Sequence, residues 1–267
     1  MLPFERVMER MTGEEQKIKN LLDEKAVLYN REWFIKTDPI KIPKKFTQKE
    51  DIEIAGFLTA TLSWGQRITI ITKALDLLNR MGNQPFNFIV QTSEKEMGIF
   101  NDFKHRTFNG EDSKFFILSL RNIYREHGGL QAVFEKGYQK DGTVKTALSY
   151  FHSVFFEIEG LRRTRKHVSD VSAGSSAKRL NMYLRWMVRQ DESGVDFGLW
   201  KGIPRSQLML PLDIHTGNTA RKLGLLHRKV NDWKAVEEVT GELRKFDPVD
   251  PVKYDFALFG LSVFEKF

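Results

Sequence analysis

The sequence predicts an all-α fold. Apolar residues recur at helical spacing along most of the chain, and alternation of period two is scarce. A composition that is 41% hydrophobic, with 21 Phe, supplies an aromatic core for helices to pack around. A chain of 267 residues is long enough to bury one or two ordinary cores without covalent staples. At typical helix lengths, roughly ten to twelve helices are expected.

Thr12-Gly13 opens the first helix, over residues 14–29, where Ile18, Leu21, Leu22 and Val27 are separated by charges into an amphipathic pattern. The basic, proline-punctuated stretch from Thr37 to Lys45 reads as a connector. From Asp51 to Leu62 the residues Ile52, Ile54, Ala55, Phe57, Leu58, Ala60 and Leu62 leave almost no polar face, which predicts a central helix buried on all sides. It ends at Ser63-Trp64-Gly65-Gln66. In the next helix Ile68, Ile71, Leu75 and Leu78 form the expected packing stripe, with Arg67, Lys73, Asp76 and Arg80 turned elsewhere and Gly82 as the stop. Residues 83–110 read as short helices and loops anchored by Phe86, Phe88, Phe100, Phe103 and Phe108. Helices over 113–126, 129–137 and 143–158 follow, parted by His127-Gly128 and Lys140-Asp141-Gly142. No clean domain linker appears. Residues 1–50 read as an N-terminal helix and basic connector, and 51–267 as the main domain, the two forming one structural unit.

Composition excludes several chemistries. Without cysteine there are no disulfides, thiolate zinc sites, iron–sulfur clusters or cysteine nucleophiles. The His at 105, 127, 152, 167, 215 and 227 show no H-x-x-x-H spacing, so neither a metal nor another cofactor is expected. No run approaches eighteen apolar residues, and MLPFERVMERMTGEEQ carries charges where a signal peptide needs an apolar stretch. The expectation is a cytoplasmic, soluble monomer with no membrane partner. An excess of 42 Lys+Arg over 35 Asp+Glu gives a charge of +7, which permits a polyanionic partner. The densest basic run, Arg162 to His167, fits that partner and equally fits a solvated linker or helix end.

The informative region is 169–223. On a helix beginning near Ala177, Leu180, Tyr183, Leu184, Met187 and Val188 share one face, and Lys178, Asn181, Arg185 and Arg189 fall opposite. A polar face of three cations and an amide, preceded by a turn with free N–H groups, forms an anion cradle. The same pattern is also that of an ordinary amphipathic helix. Downstream, Leu210-Pro211-Leu212 reads as an extended segment meeting a helix that Asp213 is placed to cap, continuing through Thr219, Ala220 and Leu223.

Gly174-Ser175-Ser176-Ala177-Lys178, then a helix, then Pro211-Leu212-Asp213-Ile214-His215, resembles the helix-hairpin-helix base-excision DNA glycosylases, the group of endonuclease III and the 8-oxoguanine DNA glycosylases. Their pattern is G-x-G-x-K, a helix, and P-V-D-x-H. The segments IAGFLTATLS and SWGQRITIITKALDLL, and KYDFALFG near the end, are similar to elements that open and close that domain, so the resemblance runs over about residues 52–264. The strings LRWMVR, PLDxH and YDFAL also resemble a bacterial family of uncharacterised proteins.

The glycosylase resemblance implies a two-lobed helix-hairpin-helix fold whose cleft takes a base extruded from a damaged DNA duplex. It implies Lys178 as the nucleophile on C1′ in lyase-competent members, and Asp213 as the carboxylate that stabilises the cationic sugar. Backbone N–H groups at Gly174, Ser175 and Ser176, with Arg179 and Arg185, would meet phosphates, and His215 would support the site or a phosphate. Gln66, or a neighbour in its turn, would fill the gap in the base stack, and Trp64 and Trp200 would border the base pocket. Two departures stand out. Ser176 replaces the second hairpin glycine, and the 35-residue interval from Lys178 to Asp213 carries an insertion, DESGVDFGLWKGIPRSQ, that either joins the pocket or packs over the hairpin.

Two functions of different class follow. One is a base-excision glycosylase, with AP-lyase activity if Lys178 forms a Schiff base. The other is a nucleic-acid-binding helical protein without chemistry, holding its ligand by phosphate contacts and by stacking on Trp64 or Trp200. A helical protein that keeps the fold and only binds partners is a third. The Lys178–Asp213 pair discriminates, because a binder has no need of both. Ser175-Ser176-Ala177-Lys178 also matches S-x-x-K, but the accompanying S-D-N and K-T-G elements are absent. The glycosylase reading carries a geometric requirement: the Lys178 amine and the Asp213 carboxylate must face one solvent-accessible cleft.

Overall fold

The first helix begins where the sequence places a cap. Thr12 Oγ1 accepts the Glu15 N–H and the Glu15 carboxylate accepts the Thr12 N–H, which sets the start of α1 (Gly13–Tyr29). The computed structural model describes residues 11–267; the opening MLPFERVMER, on which the expectation of no signal peptide largely rests, lies outside the described residues. Among those described, the chain is all-α, with twelve α-helices and one short hairpin of β1 (Lys104–His105) and β2 (Phe108–Asn109). None of these helices is long and apolar enough to cross a membrane. The expected connector holds a short helix, α2 (Glu32–Thr37), just before it, and is itself two 3₁₀ turns that each start with proline.

The core is built around α3 (Lys49–Leu62), on which every residue from Asp51 to Leu62 is buried. It packs against α4 (Arg67–Arg80), α5 (Pro85–Gln91), α7 (Leu130–Tyr138) and α9 (Lys178–Val188). Gly56 lets α9 come close, because a Cβ there would lie 3.1 Å from Met187 and 3.2 Å from Tyr183. Phe57 is the aromatic hub, meeting Phe116 of α6 (Gly110–Glu126), Phe151 and Phe155 of α8 (Val144–Phe155), and Tyr183.

α3 also buries a carboxylate. Glu53 accepts the Trp200 Nε1–H at 2.7 Å and the Tyr124 hydroxyl at 2.8 Å, and burial pushes its pKa up. This bond corrects the expectation for Trp200. Its indole is fully buried against Phe134 and Tyr183, so it is a core residue and does not line the cleft that holds Lys178. The inserted segment packs over α9, with Phe197 N–H donating to Trp186 O (2.8 Å) and Trp200 N–H to Met187 O (2.9 Å).

On α4 the buried stripe is Ile70, Ala74, Leu77 and Leu78, while Ile68 stands 81% exposed. Two apolar tracks overlap on this helix and share Leu78. Ranking by hydrophobicity selects the bulkier track, whereas the small Ala74 belongs to the face that meets the core.

The C-terminal elements close the fold. α10 (Ile214–Lys222) packs on α12 (Tyr254–Phe264), with α11 (Trp233–Phe246) between them in sequence, and α1 lies along α12. That contact depends on Gly260, since a Cβ there would fall 2.1 Å from Tyr29 Cδ2. Gly260→Ala should therefore destabilise by about 1–3 kcal/mol through overpacking. Gly241→Ala on α11, where a Cβ meets nothing within 4 Å, should be neutral or stabilising. Urea midpoints of the two variants check this, and an unchanged midpoint for Gly260→Ala would contradict the close approach.

Candidate active site

An open cleft of about 930 Å³ is bordered by the turn after α3, the first turn of α9, the start of α10 and the inner face of α12. Lys178 and Asp213 both line it.

The hairpin delivers Lys178 as the first residue of α9. Gly174 takes φ +87° and Ala177 the left-handed φ 48°, whereas Ser176 has no positive φ. The missing second glycine is thereby explained: the left-handed conformation falls on Ala177, at a cost of roughly 1–2 kcal/mol. Ser175 Oγ accepts the Ala177 N–H (3.2 Å), and Asn181 Nδ2 donates to Ser176 O (3.1 Å), which steadies the turn. The segment before the turn, Arg162–His167, is a 3₁₀ helix. Its basic run is partly tied down, with Arg163 Nη1 and Thr164 Oγ1 on the buried Asp112 carboxylate (2.9 and 2.7 Å).

Asp213 caps α10, and its two oxygens do different things. Oδ1 accepts the N–H groups of His215 (2.8 Å) and Thr216 (3.0 Å), while Thr216 Oγ1 accepts the Asp213 N–H (2.9 Å). Oδ2 lies 3.8 Å from Lys178 Nζ, and both side chains keep about a quarter to a third of their surface open, at 26% and 30%.

The neighbouring residues vary in position. Ser176 and His215 line the cleft, His215 Nδ1 lying 3.2 Å from Ser262 Oγ. Trp64 is half-buried at the rim, stacked on His167, with the Arg179 guanidinium 4.9 Å over its ring. Arg179 also donates to Thr61 O, and burial pushes its pKa down to about 10. Gln66 is exposed at the N-cap of α4 without a capping bond, between Gly65 and Arg67 of the cleft wall. Gly174 is exposed beside the cleft, its carbonyl accepting the Trp233 N–H (3.0 Å), and Ser175 bridges to Asp232.

The expected open cationic face of α9 is corrected. Arg185 and Arg189 are 4% and 2% exposed. Arg185 pairs with Asp255 and with Asp196 (3.3 Å), and Arg189 with Asp196 (3.1 Å), Asp250 (3.0 Å) and Asp191 (2.6 Å). The insertion supplies Asp191 and Asp196, so it covers the face that the helical wheel leaves open. Arg185 reaches the cleft only as part of its wall, held over Phe256 at 4.4 Å and committed to aspartates.

The cleft residues that went unrecognised in the sequence include Asp38, Asp255 and Asn231. Burial pushes the Asp255 carboxyl up to about 6, with Asp213 and Asp196 adding to the rise and Arg185 and Lys178 opposing it. A lone carboxylate inside the apolar string of α12 is the signal that could have revealed it. Asp38 is half-buried, its pKa raised by burial against the lowering effects of the Ile40 N–H, Arg185, Arg67 and Lys178. Among the described residues no three His, Asp or Glu side chains are grouped to hold a metal ion.

Residues 38–264 match the family described as Protein of unknown function (DUF2400), and the chain belongs to that family. No curated protein and no solved structure matches it.

Asp255 gives the site a pH signature. Its folded-state pKa near 6 lies above the ordinary 3.8, so the native state keeps a proton that the unfolded chain has released between pH 4 and 6. Stability should fall as pH rises through that window, by up to about 3 kcal/mol from this group. Asp255→Asn, whatever its overall stability, should lack that slope. Thermal melts of both proteins between pH 4 and 7 read the difference, and identical slopes would remove the assignment.

Proposed function

We propose that this member of the DUF2400 family is a DNA base-excision glycosylase of the two-lobed helix-hairpin-helix kind, with Lys178 and Asp213 as its catalytic pair. The observation that carries the reading is the 3.8 Å approach of Lys178 Nζ to Asp213 Oδ2 inside one accessible cleft. These residues are 35 apart in sequence and come from two helix starts. A pure phosphate binder gains nothing from a carboxylate facing its lysine, because that carboxylate repels the ligand.

The chemistry follows from the division of labour on Asp213. Oδ1 is spent on the α10 cap, which locks the rotamer and leaves Oδ2 toward the cleft. A damaged base swung out of the duplex would enter between Trp64, Phe34, Phe256 and Phe259. As the C1′–N bond breaks, its electron pair leaves with the base, and Asp213 faces the positive charge growing on the sugar. The Lys178 amine then forms a bond to C1′ and loses a proton; the C1′–O4′ bond breaks with its electron pair and a proton going to O4′, which leaves an imine, and loss of a C2′ proton with departure of the 3′-phosphate completes the AP-lyase step. The N–H groups of Gly174 and Ser175 are bonded to Val171 O (3.0 Å) and Asp170 O (3.2 Å), so the expected phosphate contact there passes to the Ser176 N–H and the first turn of α9.

Borohydride should trap a covalent adduct on duplexes carrying an abasic site, and Lys178→Gln should abolish it. Asp213→Asn should lower base release by about 100-fold or more, with little loss of stability because asparagine caps helices as well as aspartate. A panel of oxidised purines and pyrimidines serves as substrate. No release from any duplex together with wild-type behaviour of Asp213→Asn would end the enzyme reading. Binding should weaken with salt by a log–log slope of about −0.9 per phosphate neutralised, and salt-independent binding would count against any nucleic-acid ligand.

A further inference from the structure

We propose that Asp38 is the acid of this cleft, donating a proton from Oδ2 to the departing base; the proposal rests on the glycosylase reading above. Three carboxylates line the cleft, and the structure gives each a different partner. Asp213 faces the Lys178 amine, and Asp255 is bonded to Arg185. Asp38 has no ion pair among the described residues. Its Oδ1 accepts the Ile40 N–H (3.0 Å) at the start of a proline-led 3₁₀ turn, which fixes the side chain, while Oδ2 makes no hydrogen bond to the described residues.

The charged groups acting on Asp38 are Arg67 of α4 and Lys178 and Arg185 of α9. All three favour the carboxylate, yet burial outweighs them and its pKa is raised. Of the three acids, Asp38 is therefore the one set up to carry a proton with no ion pair on its free oxygen. This suits a general acid, whose proton must be held until charge develops on the leaving group.

The step balances. The C1′–N bond breaks, its electron pair moves onto the base, and the Asp38 proton passes to the base, which departs neutral. Asp38 is left as a carboxylate. When the Lys178 amine adds to C1′ it becomes a secondary ammonium, which loses its proton to water, and Asp38 takes up a proton from water to restore the acid. The substrates implied are neutral bases, which are poor leaving groups as anions.

Asp38→Asn keeps an acceptor for the Ile40 N–H while removing the proton. Single-turnover release of an oxidised neutral base should fall about 100-fold or more, and the wild-type decline of release on the alkaline side of the Asp38 titration should disappear. Borohydride trapping on a preformed abasic duplex has no base to protonate and should stay at the wild-type level. Unchanged release, or equal loss of release and trapping, would overturn the assignment. Wild-type trapping without release of any neutral base would also overturn it while sparing the lysine chemistry. Wild-type protein that neither traps nor releases would remove the glycosylase reading, and the assignment to Asp38 with it.

Discussion

The arrangement of the cleft depends on a buried ladder of charges along α9. Asp255, Arg185, Asp196, Arg189 and Asp250 alternate in sign, with every arginine shared between at least two carboxylates. Buried charges are expensive to desolvate, so such a ladder persists only when each member is paired, and removing one member leaves a neighbour stranded at a cost of about 3–5 kcal/mol. Three parts of the chain meet on it: α9 itself, the inserted segment through Asp191 and Asp196, and the stretch leading into α12 through Asp250 and Asp255. The ladder therefore ties α9, which starts with Lys178, to α12, on which α10 and its cap Asp213 rest.

This pairing changes the meaning of the net charge. A formal +7 invites a search for a cationic surface, and the helical wheel places Arg185 and Arg189 on one. Both are spent inside the protein. What faces the cleft is a smaller set: Lys178 opposite a carboxylate, Arg179 stacked on Trp64, and Arg67 at the rim. The cleft is thus mixed in sign and partly aromatic.

The elements that were legible in the sequence are those governed by neighbours within a turn or two. The all-buried α3, the start of α9 after Ala177 and the Asp213 cap follow from spacing and local chemistry alone. What stayed hidden depends on distant partners. The acids that neutralise Arg185 and Arg189 stand as far as 70 and 61 residues away, and the nearer ones, 2 to 11 residues away, sit in a loop whose path no periodicity reveals. Trp200 is hidden for the same reason, since its partner Glu53 is 147 residues distant. Asp38 looks like an ordinary turn cap until α9 and α12 are folded against it.

The long interval between Lys178 and Asp213 raises the question of how the pair is kept in register. The insertion does not do it, because it runs back over α9. The answer lies downstream, in the three residues that lead into α11. Asn231 Nδ2 donates to Asp213 O (2.9 Å), holding the start of α10. Two residues on, Trp233 N–H donates to Gly174 O (3.0 Å), holding the hairpin before α9. A single short segment thus fastens both helix starts, and the spacing of the pair becomes independent of loop length. Both helices point their positive ends toward the same space, where Asp213 already meets the lysine, so the cleft is preorganised by backbone geometry before any ligand arrives.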